Sequence, residues 1–564
     1  MAPILQRLCA EWRKEAVAVN FIKLIAAIPV TALLVGCGGS ASDSSSSPSS
    51  IAPPSTDGSV QIMGKVTYDR VPHTARSGLD YAGTIEQPIR GAVIEAVSAS
   101  GTVIASDILN ETGSYAFTVD ANTELRVQIK SQLLSDDAAT WNFSVTDNTQ
   151  DNQLYALQGS LASSGTNSRQ TRNLHAPHGW TGQSYGSTRA AAPFAILDSV
   201  YLAVQTFAEI DPDIDFPALE IRWSPENKSI VGNRAFGQIG TSAYFPEIDG
   251  GTIYLLGEDG RDTDEYDPHV ILHEWGHYFE HRLSRTDSIG GLHSLNDRLD
   301  PRVAFSEAWG NALSAILTGD SVYRDSMGAG QASGFSFDLE AGQFANPGWF
   351  SQASIGAVLY DIFDNSSDEA DRISAGLAPF YTVMRSDAYM ESPVFATIFA
   401  FADGLRTEFP ETGSALTALL DAQSISGEGP NGNGESNSGA IRSALPVYKE
   451  ARLDGAAIEV CSVDDAGLHN KLGNREFIFL NLEMDTDVTL SLVKTSGDEN
   501  RDPDFNIWES NQLLHESASS APGQERFQGN LSAGDYVIEA FDFYNINGVG
   551  SKRGDGCYSF TVTG

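Results

Sequence analysis

The chain has 564 residues, enough for three or four domains, and 41% of them are apolar, the proportion of an ordinary globular protein. Asp and Glu number 74 against 35 Lys and Arg, for a formal charge of −39. A surface that acidic repels nucleic acid and anionic lipid headgroups, so no nucleic-acid partner is expected, and its plainest use is solubility.

The N-terminus reads as a targeting segment and stands apart from the fold. Arg13, Lys14 and Lys23 form a basic flank, and an apolar run follows from Leu24 to Gly36. The run is too short to span a bilayer comfortably, and it ends in Leu34-Val35-Gly36-Cys37. That ending resembles a bacterial lipobox. The resemblance implies a signal peptide over residues 1–36, acylation of Cys37, and an exported cell-surface or outer-membrane lipoprotein that meets the membrane through the lipid. An ordinary cleaved signal with an incidental cysteine is the alternative. Residues 37–58 are rich in Ser, Gly and Pro and read as a flexible tether. Of the four cysteines, processing would remove Cys9 and lipidate Cys37. Cys461 and Cys557 remain, and in an exported protein they are expected to form one disulfide.

Three further regions follow. Over 59–133, short alternating stretches such as Val60–Val66, Ala92–Val97 and Tyr115–Val119 predict half-buried strands separated by turn residues. The order GKVTY, PIRGAVIEAV, ETGSYAFTV resembles the carboxypeptidase-regulatory-like β-sandwiches, which implies a spacer or adhesive module. Over 134–446 the pattern is mixed. A helix is predicted near Pro193–Glu209, a strand at Thr252–Leu256, and helices near 268–284, 301–318 and 350–364. The Gly- and Asn-rich run Gly427–Gly439 reads as a flexible loop. Over 447–564 strands return at Phe477–Leu480, Val488–Leu492 and Asp535–Ala540. DPDFNIW and LSAGDYVIEAF resemble the pre-peptidase C-terminal domain, a jelly-roll-like sandwich. The expected fold class is therefore multidomain: an α+β domain flanked by two all-β sandwiches.

The chemistry concentrates in Asp267-Pro268-His269-Val270-Ile271-Leu272-His273-Glu274-Trp275-Gly276-His277. Asp267 suits a helix cap and Pro268 its first position. His273 and His277, four apart, share one helix face and can hold one Zn²⁺. Glu274 projects beside them as a base, without itself being a ligand. His269 and His281 extend the histidine stripe, but positions eight apart on a helix are separated by about 12 Å, too far for one ion. The third ligand must come from another element. Glu307, on the next predicted helix, is the expected one, and His293, in a Gly-rich loop, is its rival.

The segments HEWGHYFEHRL, SEAWGN and SIGAVLYDI resemble the gluzincins, the thermolysin-like and above all the fungalysin-like peptidases. By that resemblance the α+β domain is a zincin-like catalytic domain, His273, His277 and Glu307 are the metal ligands and Glu274 is the base. Asn311 stands where the family has an aspartate partner of a ligand histidine; its amide oxygen can accept an imidazole N–H but brings no charge. The oxyanion needs a further donor besides the metal. Tyr360 is the first candidate, Tyr381 the second, and a core aromatic role for Tyr360 is the alternative. Thr252–Leu256 is expected to be a substrate-pairing edge strand or, alternatively, a core strand. The acidic loop Glu258–Glu265 is a candidate Ca²⁺ site or a solvated loop. The expected function is hydrolysis of protein or peptide substrates by a secreted, lipid-anchored zinc metallopeptidase, more in the manner of an endopeptidase. A cell-surface adhesin with a degenerate peptidase domain, and a zinc hydrolase of cell-wall peptide, are the alternatives.

Overall fold

A computed structural model describes residues 58–364, 373–547 and 554–564. The signal, Cys37 and nearly all of the tether lie outside them. The described residues form one compact unit. Among the described residues no helix is long and apolar enough to cross a membrane.

The N-terminal strands follow from their alternation. In Glu124–Asp136 every second side chain from Leu125 to Leu133 is buried, so one face joins the core while the other meets solvent or loops. Ser59–Arg70 pairs antiparallel with Ser114–Asp120 and Ile85–Pro88, and parallel with Arg169–Thr171 and Leu174–Ala176. The second sheet does not stop where a separate sandwich would. Its main path runs Ala243–Phe245, Thr252–Leu255, Leu219–Trp223, Thr140–Asp147, Glu124–Asp136, Ala92–Ser98, Val103–Ile108. A division at 133/134 falls inside Glu124–Asp136. Glu124–Asp136 pairs antiparallel with Thr140–Asp147, which pairs parallel with Leu219–Trp223, so the N-terminal strands and the mixed region share one sheet.

Helix α1 (Ala192–Ile210) packs its apolar stripe of Phe194, Leu197, Val200, Val204 and Phe207 into the shared core. Helix α2 (Pro268–Leu283) and helix α3 (Pro301–Thr318) follow, with Pro at the first position of each. Helix α4 is Gln352–Phe363. In α3 every residue from Pro301 to Leu317 is buried, so this helix lies at the centre of the molecule. It starts on Asp300, whose side chain accepts from the Arg302 N–H at 3.1 Å, and stops at Gly319, whose φ of 65° suits glycine.

Thr252–Leu255 is a core strand, paired on both sides; the edge is Ala243–Phe245. The run Gly427–Gly439 is tied down rather than loose. The buried Glu435 carboxylate accepts backbone N–H bonds from Ser426 (2.9 Å), Gly427 (3.0 Å), Ser436 (2.8 Å) and Asn437 (2.7 Å).

Residues from Tyr448 to the end form two face-to-face sheets. One runs Tyr448–Ala451, Arg475–Leu482, Gly534–Asp542, Pro503–Glu509, Gln512–Ser517; the other Ile458–Ser462, Gly556–Thr563, Thr486–Ser496, Gln524–Leu531. Their inner faces bury Ile478, Leu480, Leu490, Leu492, Phe505, Ile538 and Phe560. Cys461 and Cys557 oppose each other across this second sheet and form a disulfide.

Candidate metal centre

Helices α2 and α3 lie against each other at a pair of glycines. A Cβ on Gly276 would stand 3.1 Å from Gly310 Cα, and one on Gly310 would stand 2.8 Å from His273 Nδ1. The missing side chains let the Glu307 helix approach the histidine helix closely enough to share a ligand sphere. Trp309 Nε1 donates to Gly276 O at 3.2 Å and fixes the approach.

The atoms His273 Nε2, His277 Nε2 and a Glu307 carboxylate oxygen meet there, all within 4.8 Å of one another. The separations are 3.1 Å between the two Nε2 atoms, 3.2 Å from His273 Nε2 to Glu307 Oε2, and 3.7 Å from His277 Nε2 to the same oxygen. Ligands about 2.0–2.1 Å from a tetrahedral ion stand about 3.3 Å apart. The outward nitrogens are engaged elsewhere. His273 Nδ1 faces Asn311 Oδ1 at 3.0 Å. The Asn311 amide is oriented by its own Nδ2, which donates to Gln352 Oε1 at 3.2 Å. His277 Nδ1 meets Ser306 Oγ at 3.2 Å and the buried Glu280 carboxylate at 3.4 Å, and Ser306 Oγ donates to the same Glu280 oxygen at 2.6 Å. With each Nδ1–H given to an acceptor, both Nε2 lone pairs face Glu307 Oε2. Three lone-pair donors at these distances repel unless a cation stands between them, so the residues fit a Zn²⁺ ion.

The electrostatics agree. Burial would push the His277 imidazole down, but Glu307 and Glu280 hold it well above its usual value. Burial would raise the Glu307 carboxyl, yet His277 and His293 hold it well below the carboxylate range. The pocket concentrates negative charge on a point where positive charge is held.

Glu274 follows His273 on α2 and is 8% exposed. Its Oε2 accepts the Tyr244 backbone N–H at 2.7 Å, so the edge strand steadies the carboxylate. His293, from the loop between α2 and α3, also reaches Glu307. Its Nε2 is 3.1 Å from Glu307 Oε2 and its Nδ1 is 3.0 Å from Gly291 O. Burial lowers its pKa, but Glu307 outweighs this and raises it, matching a ring with an acceptor at each nitrogen.

Other expected residues lie elsewhere. Tyr360 is pushed up to about 12 by burial and by Asp364, Glu340, Asp320 and Asp338, so its electrostatic surroundings are acidic side chains rather than the imidazoles. Tyr381 donates to Asp211 Oδ2 at 2.5 Å, beside the end of α1. His269 is buried, with Nε2 3.1 Å from Asp320 O, and burial lowers it to about 4. His281 Nδ1 meets Tyr244 Oη at 2.7 Å. Asp267 holds the cap position of α2, but its carboxylate makes no cap bond. It accepts from Ser326 N–H at 2.7 Å and lies 2.8 Å from His73 Nε2.

The acidic loop brings Asp262 and Asp264 together with Asp325 from the strand Val322–Met327, ligand atoms within 4.8 Å of one another. Burial first, and neighbouring carboxylates second, raise Asp262 to about 7 and Asp325 to about 8 and push Asp264 well up. Sequence reasoning named the loop but not Asp325. It also passed over Glu280, three residues beyond His277 on the same helix, which the spacing alone could have signalled. Tyr244 carried no local signal.

Residues 220–419, which include α2, α3 and α4, match the family model described as the Mycolysin C-terminal domain, a match that points to a peptidase family. No curated protein matches the chain. Among solved structures, the pre-peptidase C-terminal domain of collagenase from Bacillus anthracis is similar at 12% identity, covering 21% of this chain and 94% of that one, with a TM-score of 0.16. PliG from Aeromonas hydrophila, a periplasmic inhibitor of g-type lysozyme, is similar at 14% identity, covering 21% and 95%, TM-score 0.14. A family 35 carbohydrate binding module from Clostridium thermocellum is similar at 14% identity, covering 19% and 90%, TM-score 0.13. With TM-scores this low, none of the three bears on fold or function here.

Proposed function

We propose that the chain is an exported, lipid-anchored zinc metallopeptidase that cleaves within protein substrates. The observation that carries this reading is the meeting of His273 Nε2, His277 Nε2 and Glu307 Oε2, with Glu274 held beside them by the Tyr244 N–H. Three protein ligands leave a fourth position open, the arrangement of a catalytic rather than a structural zinc site. A zinc ion held by His273, His277 and Glu307 would supply Lewis acidity toward the scissile carbonyl and the attacking water.

The rest belongs to the protein's own side chains. The backbone bond to Glu274 Oε2 fixes the carboxylate and leaves its second oxygen to take a proton from attacking water and pass it to the leaving amine. Asn311, and the Glu280–Ser306 pair, hold the two imidazoles in the tautomer that presents Nε2. In this reading His293 takes the part first expected of Tyr360: the Nε2–H that it gives to Glu307 Oε2 turns to the substrate oxygen as negative charge develops there. The edge strand Ala243–Phe245 offers the backbone to which an extended peptide adds as a further strand. Cys37 carries the lipid anchor in this reading, and Ca²⁺ is the cation that suits the carboxylates of Asp262, Asp264 and Asp325.

The test compares wild type with Glu274→Gln for zinc content and for cleavage of unfolded casein. The variant keeps the metal and loses at least about 10²-fold in kcat. A variant that cleaves as well as wild type removes Glu274 from the reaction. A wild type that holds zinc and cuts no peptide bond removes the peptidase reading and leaves the binding-protein alternative.

A further inference from the structure

The loop joining α2 to α3 carries His293 between two local turns, one where Gly290 N–H donates to Ser288 Oγ and one where the Asp297 carboxylate accepts from Ser294. Gly290 and Gly291 stand at φ 59° and 99°, and no regular element spans the segment from Ser284 to Arg298. Gln352 Nε2 holds Ser294 O at 3.0 Å, and the stretch Gly290–Leu292 is held from the C-terminal sandwich. Asn470 Nδ2 donates to Gly290 O at 2.8 Å, and Lys471 Nζ donates to Leu292 O at 2.8 Å. The Lys471 ammonium has three N–H bonds to give. Its other two partners are Asn470 Oδ1 at 2.5 Å and the Asp297 carboxylate at 3.3 Å. The backbones also pair: Asp300 N–H donates to Asn470 O at 2.9 Å, and Leu472 N–H donates to Arg298 O at 2.9 Å. Asn470 is 1% exposed, so its amide bonds are made out of water, where losing them costs most.

We infer that the C-terminal sandwich is a working part of the metal site. Asn470 and Lys471 are positioning residues that hold Gly290–Leu292 over the cluster and so place the His293 imidazole 3.1 Å from Glu307 Oε2. The inference rests on the peptidase reading for the role of His293, while the grip itself stands on the bonds above. His293 is the residue that touches substrate. Three features argue that it is a donor and not a fourth ligand. His273, His277 and Glu307 already converge without it, a fourth side chain would close the position that substrate needs, and Glu274 beside a closed ion would have no water to act on. Lys471 acts through it.

The experiment uses the full-length chain with Lys471→Met, which keeps the aliphatic stem and removes all three bonds, together with Lys471→Arg, His293→Gln and the double variant Lys471→Met/His293→Gln. Zinc content, kcat and KM on a peptide substrate, and amide hydrogen exchange over residues 289–293 are measured on each. Lys471→Met keeps its zinc, leaves KM within a few-fold, loses about 10²-fold in kcat, and exchanges faster over 289–293. His293→Gln loses a similar factor, and the double variant loses no more than His293→Gln alone, because both changes remove one contribution. Lys471→Arg, which keeps the charge, recovers part of the loss. Independent, multiplying losses in the double variant, or an unchanged kcat in Lys471→Met, overturn the positioning role. Loss of zinc in His293→Gln makes His293 a ligand and overturns the donor assignment. If wild type cleaves no peptide, the peptidase reading has failed, and the exchange data alone decide the grip: unchanged protection over 289–293 in Lys471→Met overturns it.

Discussion

At the scale of single residues the site depends on which nitrogen of each imidazole is free, and that is decided by neighbours that touch no metal. Asn311 holds His273 through one amide oxygen, and the amide's other end is spent on Gln352. Asn311→Leu therefore lowers zinc affinity by about 10–100-fold, read by competition with a chelator of known affinity, while Asn311→Asp keeps or tightens binding because a carboxylate adds charge to the same bond. If the leucine variant binds zinc as wild type does, the Nδ1 bond does not set the tautomer. The histidines and Glu274 were legible in the sequence because a four-residue helical step is local geometry. Glu307 was legible because the next helix had to return. His293 was legible only as a rival, since its place depends on a loop held by residues 470 and 471. The donor role was assigned to Tyr360 because no histidine lies between His293 and His469, and the surroundings of that hydroxyl are acidic.

At the scale of elements, the hairpin Gly257–Thr263 and the strand Val322–Met327 press three carboxylates together next to the start of α2. Their raised values mean that the folded chain holds protons more tightly than the unfolded one. The stabilisation is full below the unfolded carboxylate range, and is lost as pH rises through the folded values of about 7 and about 8. Asp325→Asn removes one repelling charge. In thermal unfolding without divalent cations, its Tm gains on wild type as pH goes from about 6 to about 9. A difference that stays constant across that range contradicts the assignment. The four predicted helices were readable to within a residue or two, because apolar spacing and proline near the first position are written in consecutive residues, whereas Ala378–Arg385, Ile398–Glu408 and Gly413–Ala422 were passed over. The role of Thr252–Leu255 was not, since a strand's neighbours are settled by partners far away in the chain. The Gly-rich run Gly427–Gly439 misled for a related reason: its composition allows freedom, and one buried carboxylate, Glu435, takes it away.

At the scale of the whole molecule, neither β region is a detachable spacer. The N-terminal strands share a sheet with the region of the candidate metal site, and His73 reaches Asp267 at the start of α2. The C-terminal sandwich meets the start of α3 through a buried ionic cluster. Arg302 binds Asp300 at 2.9 Å and Glu539 at 2.7 Å, and Arg475 reaches Glu539 at 3.0 Å. Burial would raise Glu539, but the two guanidiniums hold it at about 2. Glu539→Gln leaves Arg475 buried without its carboxylate and costs about 3 kcal/mol, measured as a lower denaturant midpoint. An unchanged midpoint would mean that the two regions are not coupled through this residue. The division at 133/134 followed a change of pattern, whereas one strand, Glu124–Asp136, runs through it, and the sheet's extension to Leu219–Trp223 depends on pairing between segments some 75 residues apart.

The measurement that bears most directly on the central claim is the zinc content of the purified full-length chain beside Glu307→Gln, with His273 and His277 intact in both. About one zinc per wild-type chain, lost on dialysis from the variant, is the predicted result, because two imidazoles without the carboxylate make an incomplete set. Equal zinc in both proteins, or none in wild type, would contradict it.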